Sequence, residues 1–487
     1  MYLKFRFSIS TALLTLIPLC SLSCSAERTE GKGDSIEQQK PHIILVMADD
    51  QGYGDAGYTG HPVVQTPHMD EMAKNSLVFS RFYAGAPVCS PTRASVLTGR
   101  SPMRTNVVNH GHYMRPHEIT IAEALKTNGY KTAHFGKWHI GSVQAESPTS
   151  PGQQGFDEWL TALNFYDQDP YMSHNGIYKQ LKGQGSVITM DAAIDYLKKN
   201  ASSGAPTFTV IWFPSPHDPH KEVSSNSQLY KGEKHAGYFQ EITLLDEQLG
   251  KLRKSLRDLK IADDTLLLYC SDNGGLVKET SGGRNKKGSI YEGGLRVPAI
   301  LEWPAKYQHK VISTPVSTSD IYPTLLAITG TEIKKQPMMD GMNLQPILSG
   351  AEKIRSNTIG FWHLFEGGQA TFSDKVIRQL MEAQQTGKAT PFPERLLKNA
   401  NVFPTHQTQN MELHPGHAAL LDWPYKIHSI RRGKKGKVTY ELYNIETDPM
   451  ETNDISKEEV KVFSRIQKQL HDWQRSVMKS LNGNDYR

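Results

Sequence analysis

Cysteine is scarce in this chain. Its 487 residues include four, and two of them, Cys20 and Cys24, fall close to the amino terminus. Only Cys89 and Cys270 remain beyond that, so no disulfide framework can carry the fold. Charge of one sign is lacking too: 55 basic and 50 acidic residues leave a formal net charge of +5. The basic residues are scattered. Their densest cluster, 431–437, reads as a turn between strands rather than a basic face, so no nucleic-acid partner is expected. The apolar stretch at 10–22 is too short, and too broken by Pro18, to span a bilayer. No segment repeats at a fixed period, which excludes a solenoid.

What is present begins with an export pattern. Lys4 and Arg6 precede the 10–22 apolar stretch, and cleavage after Ala26 or nearby would remove a signal peptide, placed at residues 1–25. Residues 26–39 are polar and read as a disordered tether. Cys24, after Ser21-Leu22-Ser23, is a candidate for lipidation, and only then would the chain be held at a membrane. The expected location is periplasmic or extracellular. With 38% apolar and 22% charged residues, the rest is long enough for more than one globular unit.

Apolar strand-like runs alternate with amphipathic helical segments, which predicts an α/β fold with a large, mostly parallel sheet flanked by helices. Strands are expected at 42–48, 131–135, 207–213, 265–270 and 297–303. Helices are expected at 120–128, with Thr120 and Gly129 as its caps, and at 190–199, 235–260 and 320–330. This catalytic domain is assigned residues 40–355. From about Phe361 the alternation loosens. Segments 426–430 and 440–444 read as antiparallel strands and 458–479 as a closing helix, giving a smaller C-terminal α+β domain at 356–487. The polar stretch 372–403 fits neither pattern.

Sites in open α/β sheets form beyond the carboxyl ends of strands. The first strand runs into Asp49-Asp50, and the 265–270 strand into Ser271-Asp272-Asn273-Gly274. Three carboxylates and an amide make a hard, oxygen-rich set suited to Ca²⁺, with Mg²⁺ as the other option. The second strand runs into Gly136-Lys137-Trp138-His139, where alternation would place Lys137 and His139 on one face if the chain stays extended. The third runs into Pro214-Ser215-Pro216-His217, whose prolines present His217 rigidly. A glycine-rich approach, Lys287-Gly288-Ser289-Ile290-Tyr291-Glu292-Gly293-Gly294, precedes another strand.

The most informative run is Cys89-Ser90-Pro91-Thr92-Arg93-Ala94-Ser95-Val96-Leu97-Thr98-Gly99-Arg100. A helix start with Arg93 one turn in favours an anion. Cys89 could attack such a substrate as a thiolate, although a cysteine-phosphatase cradle usually sets its arginine six residues on, not four. The run resembles the maturation signature of type I formylglycine-dependent sulfatases, members of the alkaline phosphatase superfamily, C-[ST]-P-[SAT]-R followed by LTGR. The resemblance extends through G-K-W-H, P-H-x-P, D-N-G and the glycine-rich approach.

That resemblance implies an alkaline phosphatase-like fold and a sulfuric-ester hydrolase acting on a sulfated carbohydrate. It implies that a maturation enzyme oxidises Cys89 to formylglycine (3-oxoalanine), whose hydrate attacks sulfur. It assigns Asp49, Asp50, Asp272, Asn273 and residue 89 to the cation. Arg93, Lys137 and Lys287 become charge stabilisers, His217 the proton donor to the leaving oxygen, and His139 the assistant in sulfate release. Sequence alone does not separate the two histidines. Asn164, Tyr166, Asp167, His174, Arg284 and His363 are candidate sugar-pocket residues, with recognition expected to vary in 372–403 and in the loop after Gly141. The competing readings are a phosphodiesterase or phosphonate hydrolase on the same fold and an inactive glycan-binding relative.

Overall fold

The computed structural model describes residues 40–201, 203–220, 228–365, 367–388, 400–401, 416–432 and 436–486. The signal and tether segments, Cys20 and Cys24, the middle of the 431–437 turn and most of 389–403 lie outside the described residues.

Ten strands form the main sheet, in the order Lys310–Ile312, Leu77–Phe79, Ala299–Glu302, Thr265–Ser271, His42–Ala48, Thr207–Trp212, Lys131–Lys137, Glu158–Ala162, Tyr171–His174 and Ile177–Gln180. The five from Thr265–Ser271 to Glu158–Ala162 are mutually parallel. Antiparallel neighbours flank them on both sides, including Ala299–Glu302. The sequence of the central strand shows why it is continuously apolar. Ile43, Leu45 and Met47 enter one hydrophobic cluster with Leu97, Leu125 and Leu325, while Ile44, Val46 and Ala48 enter another with Met69, Met190 and Leu245. A strand buried on both faces cannot alternate apolar with polar.

Helices cover both faces. Pro67–Lys74, Gly185–Ala201 and Ala236–Asp258 lie on one, and Cys89–Thr98, Ile121–Thr127 and Ile321–Thr329 on the other. Thr120 caps its helix through a reciprocal box with Glu123. The cap at the other end is Asn128 rather than Gly129, which follows at φ +84° and turns the chain.

The 372–403 stretch contains a helix, Ser373–Thr386, that buries Ile377, Leu380 and Ala383. That three-residue spacing gives a narrow apolar stripe, and it packs on Tyr171–His174 and Ile177–Gln180 at the edge of the main sheet. The loop after Gly141 is largely buried, with Thr149 O accepting from the Trp138 indole.

A second, antiparallel sheet runs Ile359–His363, Gly416–Asp422, Tyr425–Arg431 and Val438–Asn444. Here the alternation is legible. Ala418 and Leu420 face the Val460–Leu481 helix, while Ala419 and Leu421 face Ile290, Tyr291 and Leu295 of the glycine-rich approach. The small sheet is therefore a backing for the loop that carries Lys287.

Candidate active site

The parallel strands deliver their carboxyl ends to one place. Backbone bonds tie these ends together: Asp49 N donates to Ser215 O, Asp272 N to Ala48 O, and Gln51 N to Ser271 Oγ. Asp50 sits at φ +75°, a left-handed conformation uncommon for a side-chain-bearing residue and held here by its neighbours. Cys89 is the first residue of a helix whose ten residues are all buried.

Each carboxylate faces a cation. Lys137 Nζ lies 2.6 Å from Asp49 Oδ2, Lys287 Nζ 2.5 Å from Asp50 Oδ2, and Arg93 Nη2 2.6 Å from Asp272 Oδ2. Arg93 also approaches Asp49 at 3.7 Å and donates to Lys137 O. Burial alone would raise Asp49, but Lys137, His217 and Arg93 hold it well below the usual carboxylate range. Burial and the Asp49 charge push Asp272 up. Burial would lower Lys287, yet Asp50 raises it on balance.

Two buried oxygens, Asp49 Oδ1 and Asn273 Oδ1, accept no hydrogen bond, although Asn273 Nδ2 donates to Asp50 Oδ1 at 2.7 Å. Ligand atoms of Asp49, Asp50, Cys89 and His217 all lie within 4.8 Å of one another. Unpartnered buried acceptors are costly unless something positive meets them. A hard divalent cation fits this donor set. Asp272 stands differently from expectation: both its oxygens accept from protein, Oδ1 from Asp50 N and Oδ2 from Arg93.

The two histidines are separated by the structure. The strand ends at Lys137 and His139 sits at φ +58°, so a turn rather than strand alternation brings His139 to Lys137. His139 is buried with neither ring nitrogen bonded, and burial, Lys137 and Arg93 hold it well below the usual imidazole range. His217 keeps a partly exposed ring against Phe165, with centroids 5.2 Å apart. Its Nδ1 lies 2.5 Å from Asp218 O, which can only accept, so Nδ1 carries a proton. Nε2 is left 3.6 Å from Asp50 Oδ2. Burial pushes the Cys89 thiol up, so an unmodified Cys89 holds its proton and is a poor nucleophile.

All ten candidate site residues thus converge. The candidate sugar-pocket residues do so only in part. Tyr166 is in the core, bonded to Thr189. His174 stands in a surface groove with Glu158, Tyr196 and Lys199. Arg284 stacks on Tyr291 at 3.8 Å and donates to Glu451 O. Asp167 is buried. Asn164 donates to Thr371 O, and buried His363 lies near His110. Sequence reasoning passed over the run Asn109-His110-Gly111-His112, whose only signal is its polarity after a buried helix. Gly111 N donates to Ser90 Oγ, tying this run to the residue after Cys89.

With this geometry in place, comparison with known proteins is direct. The family model described as Sulfatase matches residues 41–331. The ulvan-active sulfatase of Formosa agariphila is 28% identical over 362 residues, 68% of this chain and 70% of that protein. N-acetylgalactosamine-6-sulfatase of Sus scrofa is 31% identical over 364 residues, covering 65% and 68%. The crystal structure of Ps i-CgsB in complex with k-i-k-neocarrahexaose superposes with a TM-score of 0.73 at 24% identity, over 90% of this chain and 93% of that one.

Proposed function

The chain belongs to the sulfatase family, and from that premise we propose that it is an exported sulfuric-ester hydrolase that removes sulfate from a carbohydrate, using a formylglycine at position 89 and Ca²⁺. One observation carries the reading: the unpartnered oxygen of Asp49 and that of Asn273, which is bonded to Asp50, belong to a cluster of Asp49, Asp50 and Cys89 amid three cationic side chains. The sulfated carbohydrates in the relatives' names support the substrate class. Lys4, Arg6 and the 10–22 stretch support export, with Cys24 as the candidate anchor. The loosening of alternation near Phe361 supports a catalytic domain at 40–355 and a smaller one at 356–487.

Asp49, Asp50, Asp272 and Asn273 would hold Ca²⁺, or Mg²⁺ in its place, supplying positive charge beside the reacting oxygens. Conversion of Cys89 by a maturation enzyme would supply an aldehyde hydrate, with one hydroxyl to attack sulfur and a second to release sulfate. The remaining work falls to side chains already in place. Arg93, Lys137 and Lys287 offer N–H donors to sulfate oxygens from fixed positions, which costs no reorganisation during reaction. His217 keeps a partly exposed ring, and as the imidazolium its Nε2 can give a proton to a leaving alkoxide. His139, buried with neither ring nitrogen bonded, has a nitrogen free to accept a hydrogen bond from the second hydroxyl.

The test is turnover by protein co-produced with a formylglycine-generating enzyme. The panel is N-acetylgalactosamine 6-sulfate, ulvan and carrageenan oligosaccharides, 4-nitrophenyl sulfate and 4-nitrophenyl phosphate. Sulfate esters should be cleaved faster than the phosphate. Mass spectrometry should show the 86–93 peptide converted from thiol to aldehyde. Chelation should abolish turnover, and Ca²⁺ should restore it. Preference for the phosphate, or full activity with wholly unmodified Cys89, would overturn the reading.

A further inference from the structure

A strap that includes Leu364, Gly367, Gly368 and Gln369 is laid across the 109–112 run. Asn109 Nδ2 donates to Leu364 O, Gln369 N donates to His110 O at 2.9 Å, and His112 Nε2 lies 2.6 Å from Gly367 O. Gly368 packs on the His110 imidazole so closely that a Cβ there would fall 2.1 Å from Cε1. The ring is clamped on that side, while the residue as a whole is exposed.

Its hydrogen bonding fixes its tautomer. Asn109 Oδ1 already accepts from His110 N at 2.8 Å, and its Nδ2 is the donor to Leu364 O, so the amide orientation is set by both ends. His110 Nδ1, 3.0 Å from the same Oδ1, must therefore donate. In the neutral ring Nε2 is then a bare acceptor, and no described residue takes it. Burial, followed by the charges of Lys287, His112 and Lys137, lowers the affinity of this ring for a second proton. Gly111 N donates to Ser90 Oγ, so His110 stands one residue from the group bonded to the neighbour of Cys89. His110 thus presents a fixed, uncharged acceptor on a run tied to the start of the Cys89 helix. The sulfate has only acceptor oxygens and cannot use it, whereas a hydroxyl on the attached sugar can.

We propose that His110 is a specificity-determining residue whose Nε2 accepts a hydrogen bond from a hydroxyl of the sugar bearing the sulfate. The assignment rests on the sulfatase reading. The test compares wild type, His110→Leu and His110→Gln on two esters. These are the panel's best sulfated sugar and 4-nitrophenyl sulfate, which carries no sugar hydroxyl. His110→Leu should lower kcat/KM about 10-fold on the sugar, the scale of one lost hydrogen bond, and at least fivefold less on the aryl ester. His110→Gln, which keeps an acceptor near the Nε2 position, should recover most of the loss. Equal losses on both esters, or no loss on the sugar, overturn the assignment alone. A matured wild type that cleaves neither ester overturns the sulfatase reading and this assignment with it.

Discussion

His217 and His139 illustrate how surroundings separate two chemically identical side chains. His217 has its Nδ1 proton committed to Asp218 O and its Nε2 3.6 Å from Asp50 Oδ2, in a ring that stays partly exposed; as the imidazolium it carries on Nε2 the proton a leaving group takes. His217→Ala should therefore cost about 10²–10⁴-fold on a sugar sulfate and much less on 4-nitrophenyl sulfate, whose phenolate leaves unaided. Equal losses on the two would remove the assignment. Glu241 belongs to this scale as well. It accepts from Ser215 Oγ at 2.5 Å, behind the site, and is pushed up to about 7 by burial, the Ser215 bond opposing and Asp167 adding. The folded state thus keeps a proton that the unfolded chain has lost. This stability is full below the unfolded value of about 4.3 and is lost as pH rises through about 7. Glu241→Gln removes the titration. Its thermal stability should gain on wild type between pH 5 and pH 8, by about 1–3 kcal/mol. A constant difference across that range would contradict the assignment.

At the scale of elements, strand ends place the chemistry, and one glycine sets how closely two of them approach. Gly136 lies at φ +104°, and a Cβ there would meet Trp212 O at 1.9 Å. Gly136→Ala must part the Lys131–Lys137 and Thr207–Trp212 strands and displace Lys137 from Asp49. Gly129 is the matched control: φ is +84°, but nothing lies within 4 Å of its added Cβ. Gly129→Ala should cost only the backbone term, about 1–3 kcal/mol, with activity kept. Gly136→Ala should cost more and lose activity. Thermal midpoints and kcat of the two variants decide this, and similar behaviour would show that the close approach does not matter.

At the scale of the molecule, the small sheet and the loop that carries Lys287 are joined by a buried ionic network. Lys426 Nζ lies 2.9 Å from Glu292 Oε1 and 3.2 Å from Glu451 Oε1. His428 Nε2 reaches Glu451 at 2.8 Å, and Tyr83 donates to Glu292. Glu292 follows the loop bearing Lys287, so the network fixes that loop against the sheet. Lys426→Met leaves two carboxylates buried without their cation and should cost about 3–5 kcal/mol. Denaturant unfolding should show the loss, and adding Glu451→Gln should recover part of it. An unchanged midpoint in Lys426→Met would mean that the network does not hold the sheet to the loop.

Much of this was legible in the sequence, for local reasons. A strand buried on both faces must be apolar throughout, so 42–48 announced itself and its end pointed to Asp49 and Asp50. The Cys89–Arg100 run and the Asp272-Asn273 pair carried the site because their chemistry is compressed into a few adjacent residues. The C-terminal strands showed their alternation because each of their faces meets a different partner. What sequence did not determine depends on contacts between distant segments. The helix Ser373–Thr386 has a stripe too narrow to reveal that its partner is the far edge of the main sheet. His139 reaches the site through a left-handed turn that no periodicity encodes. Tyr166, a candidate for the pocket, was taken into the core by Thr189. His110 acquires its acceptor only because Asn109 and the strap, more than 250 residues away at Gln369, fix its ring. The residues chose the chemistry; the long-range hydrogen bonds decided which nitrogen faces it.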